Sequence, residues 1–317
     1  MATDKLNHGC DVSVAICTYN RPQMLSGVLE CLALQEYAKR LNWEILVVDN
    51  HPAATARPVL NAYLSESRPR IRYIHEPTPG LSRARNRAIH EAYGAVIAFL
   101  DDDVMVPKTW LVEMLRAFER TGADCIGGRV LVKWEGQPDD AVLACERELV
   151  AFDKGDADIR LFRREVPIGA NLALRATVLQ NEPLFMCDLG RTRTSLMGCE
   201  EIELLLRLLR RGRRIWYSAG SVVLHRTGGE RLLARYYINR EYWNGVSLAA
   251  VDKRQLNLLH CYCKAWARLA QTFLFVLPAW MCAHLVENTG AELLRTCQRR
   301  RYFGYWCGIM GLAKAPA

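Results

Sequence analysis

Three consecutive carboxylates, Asp101-Asp102-Asp103, directly follow the apolar run Ala95-Val96-Ile97-Ala98-Phe99-Leu100. Such a run, bounded by Gly94 and by a burst of charge, reads as a buried strand that delivers its last residues to one edge of a sheet. Carboxylates this close repel one another, and keeping them ionised is costly unless a cation compensates. Oxygen ligands of this kind suit hard divalent ions, so the first expectation is a Mg2+ or Mn2+ site. The competing reading is a solvated acidic turn capping the next helix. A second concentration of chemistry is Gly80-Leu81-Ser82-Arg83-Ala84-Arg85-Asn86-Arg87, which sets three arginines in the first turns of an expected helix. Helix N-termini disfavour cations and attract anions, so this cluster offers a place for an anionic or planar ligand; a basic solvated face is the alternative.

The elements that must position these residues follow from apolar periodicity. Strands are expected at Val12–Cys17, Ile45–Val48, Ile71–Ile74, Ala95–Leu100 and Ile126–Val132. Helices are expected at Met24–Tyr37, Leu81–Ala92 and Lys108–Arg120. This alternation implies an α/β protein with a parallel sheet, whose ligands sit beyond the carboxyl ends of the strands. Those ends carry Thr18-Tyr19-Asn20-Arg21, Asp49-Asn50 and Asp101-Asp102-Asp103. Neither GxGxxG nor GxxxxGK[ST] occurs, so any diphosphate is held by something other than a glycine-rich cradle.

At 317 residues and 50% hydrophobic content the chain buries a sizeable core as one large domain or two modest ones. Its 12 cysteines are scattered without a CxxC pair, which argues against a zinc ribbon or disulfide framework and for a reducing cytoplasm. Met1 to Asp11 lacks the apolar core of a secretory signal. The net charge of +8 is unevenly spread: residues 204–317 hold 18 Lys or Arg against 5 Asp or Glu, so an anionic partner is expected for that part. Leu269 to Val286 is free of formal charge but contains Gln271, Thr272, Pro278 and His284, and is not read as a spanning helix. Arg295, Arg299, Arg300 and Arg301, followed by Tyr302, Phe303, Tyr305 and Trp306, suit an amphipathic segment lying on an anionic membrane. The alternative is that these helices pack on the rest of the chain or form a homo-oligomer.

The ordered series Thr-Tyr-Asn-Arg, Val-Asp-Asn, Gly-Leu-Ser-x-Ala-Arg-Asn and Phe-Leu-Asp-Asp-Asp resembles the family 2 glycosyltransferases of GT-A fold. Gly169-Ala170-Asn171-Leu172-Ala173-Leu174-Arg175 is similar to that family's acceptor-side strand, and Gly198-Cys199-Glu200-Glu201-Ile202-Glu203-Leu204 to its Glu-Asp helix start. The resemblance covers residues 10–230. It implies a GT-A catalytic domain over 1–230, a mostly parallel sheet flanked by helices, with a helical C-terminal extension over 231–317, membrane-associated or oligomerising. It also implies an inverting hexosyltransferase-like enzyme using a nucleotide-sugar donor, UDP preferred, with Mn2+ or Mg2+. The acceptor would be a saccharide or a lipid-linked saccharide in polysaccharide or glycolipid assembly. The enzyme would be cytoplasmic or peripheral on the cytoplasmic face of the membrane.

In that family's arrangement Asp49 would accept from the base, Thr18, Asn20 and Arg21 would line the nucleotide pocket, and Arg83 and Asn86 would close it. Asp101 and Asp103 would flank the diphosphate, Asp101 near the ribose and the metal and Asp103 coordinating the ion directly, with Asp102 supporting. Inversion needs a base on the opposite face of the sugar, for which Glu201 is the first candidate and Glu200 the second. Glutamate replaces the family's usual aspartate at position 201. Three readings stay open for His225: the metal shell, a diphosphate contact, or a core histidine. Arg226 would reach phosphate, and Asn171 the donor sugar or diphosphate. Two other classes are a metal-dependent nucleotidyl or phosphoryl transferase, which would release pyrophosphate or phosphate, and a non-catalytic nucleic-acid-binding module. The basic residues form no known nucleic-acid motif, so nucleic acid is not an expected partner.

Overall fold

The computed structural model describes residues 9–36, 41–61, 63, 69–162, 165–180, 182–191 and 196–313. The elements run β1 (Val12–Thr18), α1 (Pro22–Ala33), β2 (Trp43–Asp49), α2 (Arg57–Leu60), β3 (Arg70–His75), α3 (Leu81–Glu91), β4 (Val96–Asp101), β5 (Val104–Met105) and α4 (Trp110–Thr121). They continue with β6 (Cys125–Glu135), α5 (Asp140–Leu143), α6 (Glu146–Leu149), β7 (Ile159–Leu161), β8 (Asn171–Arg175), α7 (Ala176–Leu179), α8 (Glu200–Arg210) and β9 (Ile215–Gly228). The C-terminal region is helical: a 3-10 turn, α9 (Ala234–Gln255), α10 (Leu258–Gln271), a π-turn (Thr272–Val276), α11 (Leu277–Leu285) and α12 (Thr289–Met310). Helix α1 begins at Pro22, before the expected Met24, because proline is well placed in a first turn. Its expected last residue, Tyr37, lies outside the described residues, as do the first eight of the N-terminal stretch read for a leader.

The chain forms two compact units. One comprises Met1–Leu131, Phe152–Asp188 and Glu200–Arg226, the other Val132–Ala151, Leu189–Cys199 and Thr227–Ala317. Among the described residues the strands form one sheet in the order β3-β2-β1-β4-β8-β6-β9-β5, with β7 beside β9. The first half is parallel: β3 on β2, β2 on β1, β1 on β4. All seven residues of β2 are buried, as a strand covered on both faces requires. The expected strand near Ile126–Val132 is present as β6, but it does not extend the parallel stack. Antiparallel β8 lies between β4 and β6, so direction reverses at the β4–β8 boundary. Helix α4 buries Trp110, Leu111, Met114, Ala117 and Phe118 at helical spacing.

In the second unit α9 packs tightly on α12. A Cβ on Gly245 would lie 2.1 Å from the Arg301 carbonyl oxygen, and one on Gly304 2.0 Å from that of Tyr242, so only hydrogens allow this approach. Tyr305 is fully buried and its hydroxyl donates to Asp252 at 2.8 Å, while Arg301 pairs with Glu241. The Arg295–Trp306 stretch, expected to lie on a membrane, therefore spends much of its surface on α9. Pro278 lacks the donor that would close the helical bond to Leu274, and the chain loosens into the π-turn just before it. No helix among the described residues is long and apolar enough to cross a membrane.

Candidate active site

The parallel register brings the polar strand ends into one row. Thr18 stands opposite Asp49, and Cys17 opposite Asp101, so the first, second and fourth strands terminate at the same edge. Strand β5 pairs with β9 and sets Val104 opposite His225, which carries the imidazole to the aspartate turn. His225 Nε2 lies 3.2 Å from Asp103 Oδ1. Ligand atoms of Asp101, Asp103 and His225 all fall within 4.8 Å of one another. Two carboxylates and one imidazole are a donor set that fits a divalent cation.

The three aspartates face different ways. Asp101 has a side chain 35% exposed, whereas Asp102 and Asp103 are each 7% exposed. Asp102 turns inward, accepting from Thr18 Oγ1 at 2.7 Å and from Arg21 at 3.2 Å. Burial pushes Asp102 up to about 6, with Arg21 pulling the other way and Asp103 adding to the rise. Asp102 and Thr18 thus brace the turn through each other. Arg21 also reaches Asp103 at 3.0 Å, and Asn20, exposed just before Arg21, holds a left-handed φ of 54°.

Three expected ligand contacts are committed elsewhere. Asp49 is fully buried; its oxygens accept from the backbone N–H of His51 at 3.1 Å and of Ala56 at 2.7 Å, and from Tyr73 at 3.3 Å. These bonds build the loop after β2. Asn86 is a staple, its amide donating to the Phe185 carbonyl at 2.8 Å and accepting from the Phe185 N–H at 2.9 Å. Asn171, also fully buried, accepts from Trp110 Nε1 at 3.0 Å and donates to the carbonyls of Ser221 and Arg129 at 2.8 and 3.1 Å. Both N–H groups of its Nδ2 are spent on backbone, so it holds strands together. Arg226 folds back towards α1, its guanidinium 3.3 Å from where a Cβ on Gly27 would sit.

Arg85 is the residue that the motif alone did not single out. Arg83 and Arg87 are exposed, while Arg85 is 3% exposed and donates to Glu200 at 2.7 Å and to Asp101 at 3.4 Å. Burial works against its charge, but Glu200 and Asp101 more than compensate and hold it firmly protonated. Phe99 and Phe185 flank the guanidinium, and a Cβ on Gly169 would lie only 2.1 Å from its Nη2. Helix phase was the available signal, since Leu81, Ala84, Arg85 and Ala88 share the inward face. Glu200, itself 3% exposed, is thereby committed to Arg85. Its neighbour Glu201 is half-buried at the start of α8; burial pushes it up to about 7, Glu200 adds to that rise and Arg85 opposes it. A carboxylate poised there can accept a proton near neutral pH.

The sequence model of glycosyl transferase family 2 matches residues 13–178, slightly more than half of the chain and the part that builds this strand edge. The chain belongs to glycosyl transferase family 2. Succinoglycan biosynthesis protein ExoM of Rhizobium meliloti is 33% identical to this family 2 glycosyltransferase over 124 residues, covering 39% of this chain and 40% of that protein. Glycosyltransferase AglE of Haloferax volcanii is 25% identical over 299 residues, 88% of this chain and 94% of AglE. Among solved structures, mannosyltransferase PcManGT of Pyrobaculum calidifontis in complex with GDP-Man and Mn2+ superposes with a TM-score of 0.64 at 17% identity, covering 97% of this chain and 89% of that one. S. aureus TarS in complex with UDP gives 0.52 at 15% identity, covering 93% and 92%. At these identities the two structures establish the GT-A fold.

Proposed function

We propose that this glycosyltransferase is an inverting enzyme that moves a sugar from a nucleotide-diphosphate donor to an acceptor hydroxyl in glycan assembly. One juxtaposition carries the reading: a divalent-cation donor set at a strand edge, joined through buried Arg85 to the helix start that bears Glu201, whose carboxyl burial holds above the ordinary range. Asp101, Asp103 and His225 would hold Mn2+ or Mg2+, the imidazole favouring Mn2+. Such an ion, when bound, neutralises charge building on the departing diphosphate. Glu201 takes the acceptor hydroxyl's proton as that oxygen bonds to the anomeric carbon and the bond from that carbon to the diphosphate oxygen breaks. Attack from the opposite face inverts the anomeric configuration.

Tyr19 and His51 lie edge to face with centroids 4.9 Å apart, beside the ends of β1 and β2, and supply an aromatic platform for the base in place of the buried Asp49 carboxylate. Asn20, Arg21 and Arg83 are exposed polar groups suited to the donor's ribose and phosphates. UDP is the first donor nucleotide to test, since TarS was solved with it, and GDP the second, since PcManGT was solved with GDP-Man. A saccharide acceptor accords with ExoM, named for succinoglycan biosynthesis, and a lipid-linked one with the glucosyl-dolichyl phosphate glucuronosyltransferase of Haloferax volcanii. Calorimetry with UDP, GDP and dTDP, first with Mn2+ and then with EDTA, tests the reading. One nucleotide binds only with metal, Asp103→Ala loses it, and Glu201→Gln binds it but releases no diphosphate product. Turnover retained in Glu201→Gln overturns the base assignment.

A further inference from the structure

Residues 253–286 contain Lys253, Arg254, Lys264 and Arg268 and neither aspartate nor glutamate. They build the end of α9, α10, the π-turn and α11. A helix that packs by one stripe normally turns polar side chains outward. Here the pattern is inverted. The buried positions of α10, the π-turn and α11 are the small or slender Cys261, Ala265, Val276 and Ala283. The bulky apolar side chains face out: Leu259 is 74% exposed, Trp266 57%, Phe273 67%, Phe275 68% and Leu285 79%. Ten of the fifteen large hydrophobic residues that are exposed among the described residues fall between Leu258 and Val286. Scattered exposed apolar residues need no explanation, but a concentration of this kind marks an interaction surface.

We propose that α10, the π-turn and α11 form a monotopic membrane surface that lies in the headgroup region of an anionic bilayer. Three observations select that occupant. The segment carries four cations and no carboxylate of its own, and although Asp252 answers Lys264 at 2.6 Å the segment's formal charge stays positive, complementary to anionic headgroups. A second copy docking the same face about a two-fold axis would bring these cations together with no acidic residue in the segment to answer them. Aromatic rings at Tyr262, Trp266 and Trp280, with Phe273 and Phe275 at the bend, are the side chains that settle at a membrane interface, while none of these helices can span the bilayer. This surface is independent of the transferase chemistry, so its test needs no substrate.

The full chain and a Phe273→Ser/Phe275→Ser variant are sedimented with phosphatidylcholine vesicles, with and without about 30% phosphatidylglycerol. Both side chains are two-thirds exposed, so the variant retains the wild-type melting temperature. The wild type partitions onto the anionic vesicles and much less onto neutral ones, and the variant partitions about tenfold less or weaker still. Brominated acyl chains quench the tryptophan fluorescence of the wild type and leave that of the variant unchanged. Equal partitioning of the two proteins, or absence of the wild type from anionic vesicles, overturns the proposal. So does a wild-type dimer that the variant turns into a monomer while neither sediments, which would assign the face to self-association.

Discussion

Arg85→Met should destabilise the protein far more than its surface neighbours would, and the loss should depend on Glu200. Arg85 and Glu200 are each 3% exposed and meet at 2.7 Å, so the variant strands a carboxylate in a site without solvent. Breaking a buried pair by removing one partner costs about 3–5 kcal/mol, a large share of the roughly 5–15 kcal/mol that holds a domain together. Asp101 adds little to the cost, because its side chain is 35% exposed and water can replace the 3.4 Å contact. Adding Glu200→Leu to Arg85→Met removes the stranded charge, and the double variant should recover about 2–3 kcal/mol relative to the single one. Urea unfolding of wild type, both single variants and the double variant closes the cycle; the comparison Arg83→Met, on the exposed face of α3, stays within about 0.5 kcal/mol of wild type. Losses that add to within about 0.5 kcal/mol would refute the coupling, as would an Arg85→Met variant as stable as Arg83→Met.

Gly169→Ala forces a Cβ to within 2.1 Å of Arg85 Nη2, and since the guanidinium cannot retreat without leaving Glu200 and Asp101, unfolding should lose about 2–4 kcal/mol in wild type and little in the Arg85→Met background. Asn171→Leu leaves Trp110 Nε1 and the Ser221 and Arg129 carbonyls without their partner, so it should cost about 2–4 kcal/mol in urea unfolding while the KM for donor in the folded fraction is unchanged. Glu201 must be deprotonated to accept a proton, so kcat/KM should fall below a pH of about 7, to roughly one-tenth one unit lower; a limb near the ordinary carboxylate value would contradict the burial argument. The same raised pKa means that stability contributed by protonated Glu201 is present in full below the ordinary carboxylate pKa and is lost as pH rises towards about 7. Melting curves should therefore place Glu201→Gln above wild type at pH values over about 7, with the difference shrinking in acid.

Apolar runs ending in polar residues located the site edge because parallel strands covered on both faces must be apolar along their length and can change character only at their ends. Thr18, Asp49 and Asp101 stand in one row for that reason. Side-chain type says nothing of direction, and direction separated Asp49, Asn86 and Asn171, which all hold backbone, from Asp101 and Arg21, which reach the surface. The insertion of β8 between β4 and β6 was hidden because its pairing joins segments far apart in the chain. Helix phase would have separated Arg85 from Arg83 and Arg87, since a charge on the face shared by Leu81 and Ala88 must be buried and therefore paired. The C-terminal helices carry the same lesson in reverse. Arginines beside aromatics in α12 have the composition of a membrane-lying helix, yet Gly304 and Gly308, four residues apart on one face, mark a helix that another helix approaches closely. A bilayer needs no such notch, whereas α9 does. In α10 and α11 the small Cys261, Ala265 and Ala283 turn inward and bulky apolar side chains turn outward, which is the arrangement the proposed membrane surface requires.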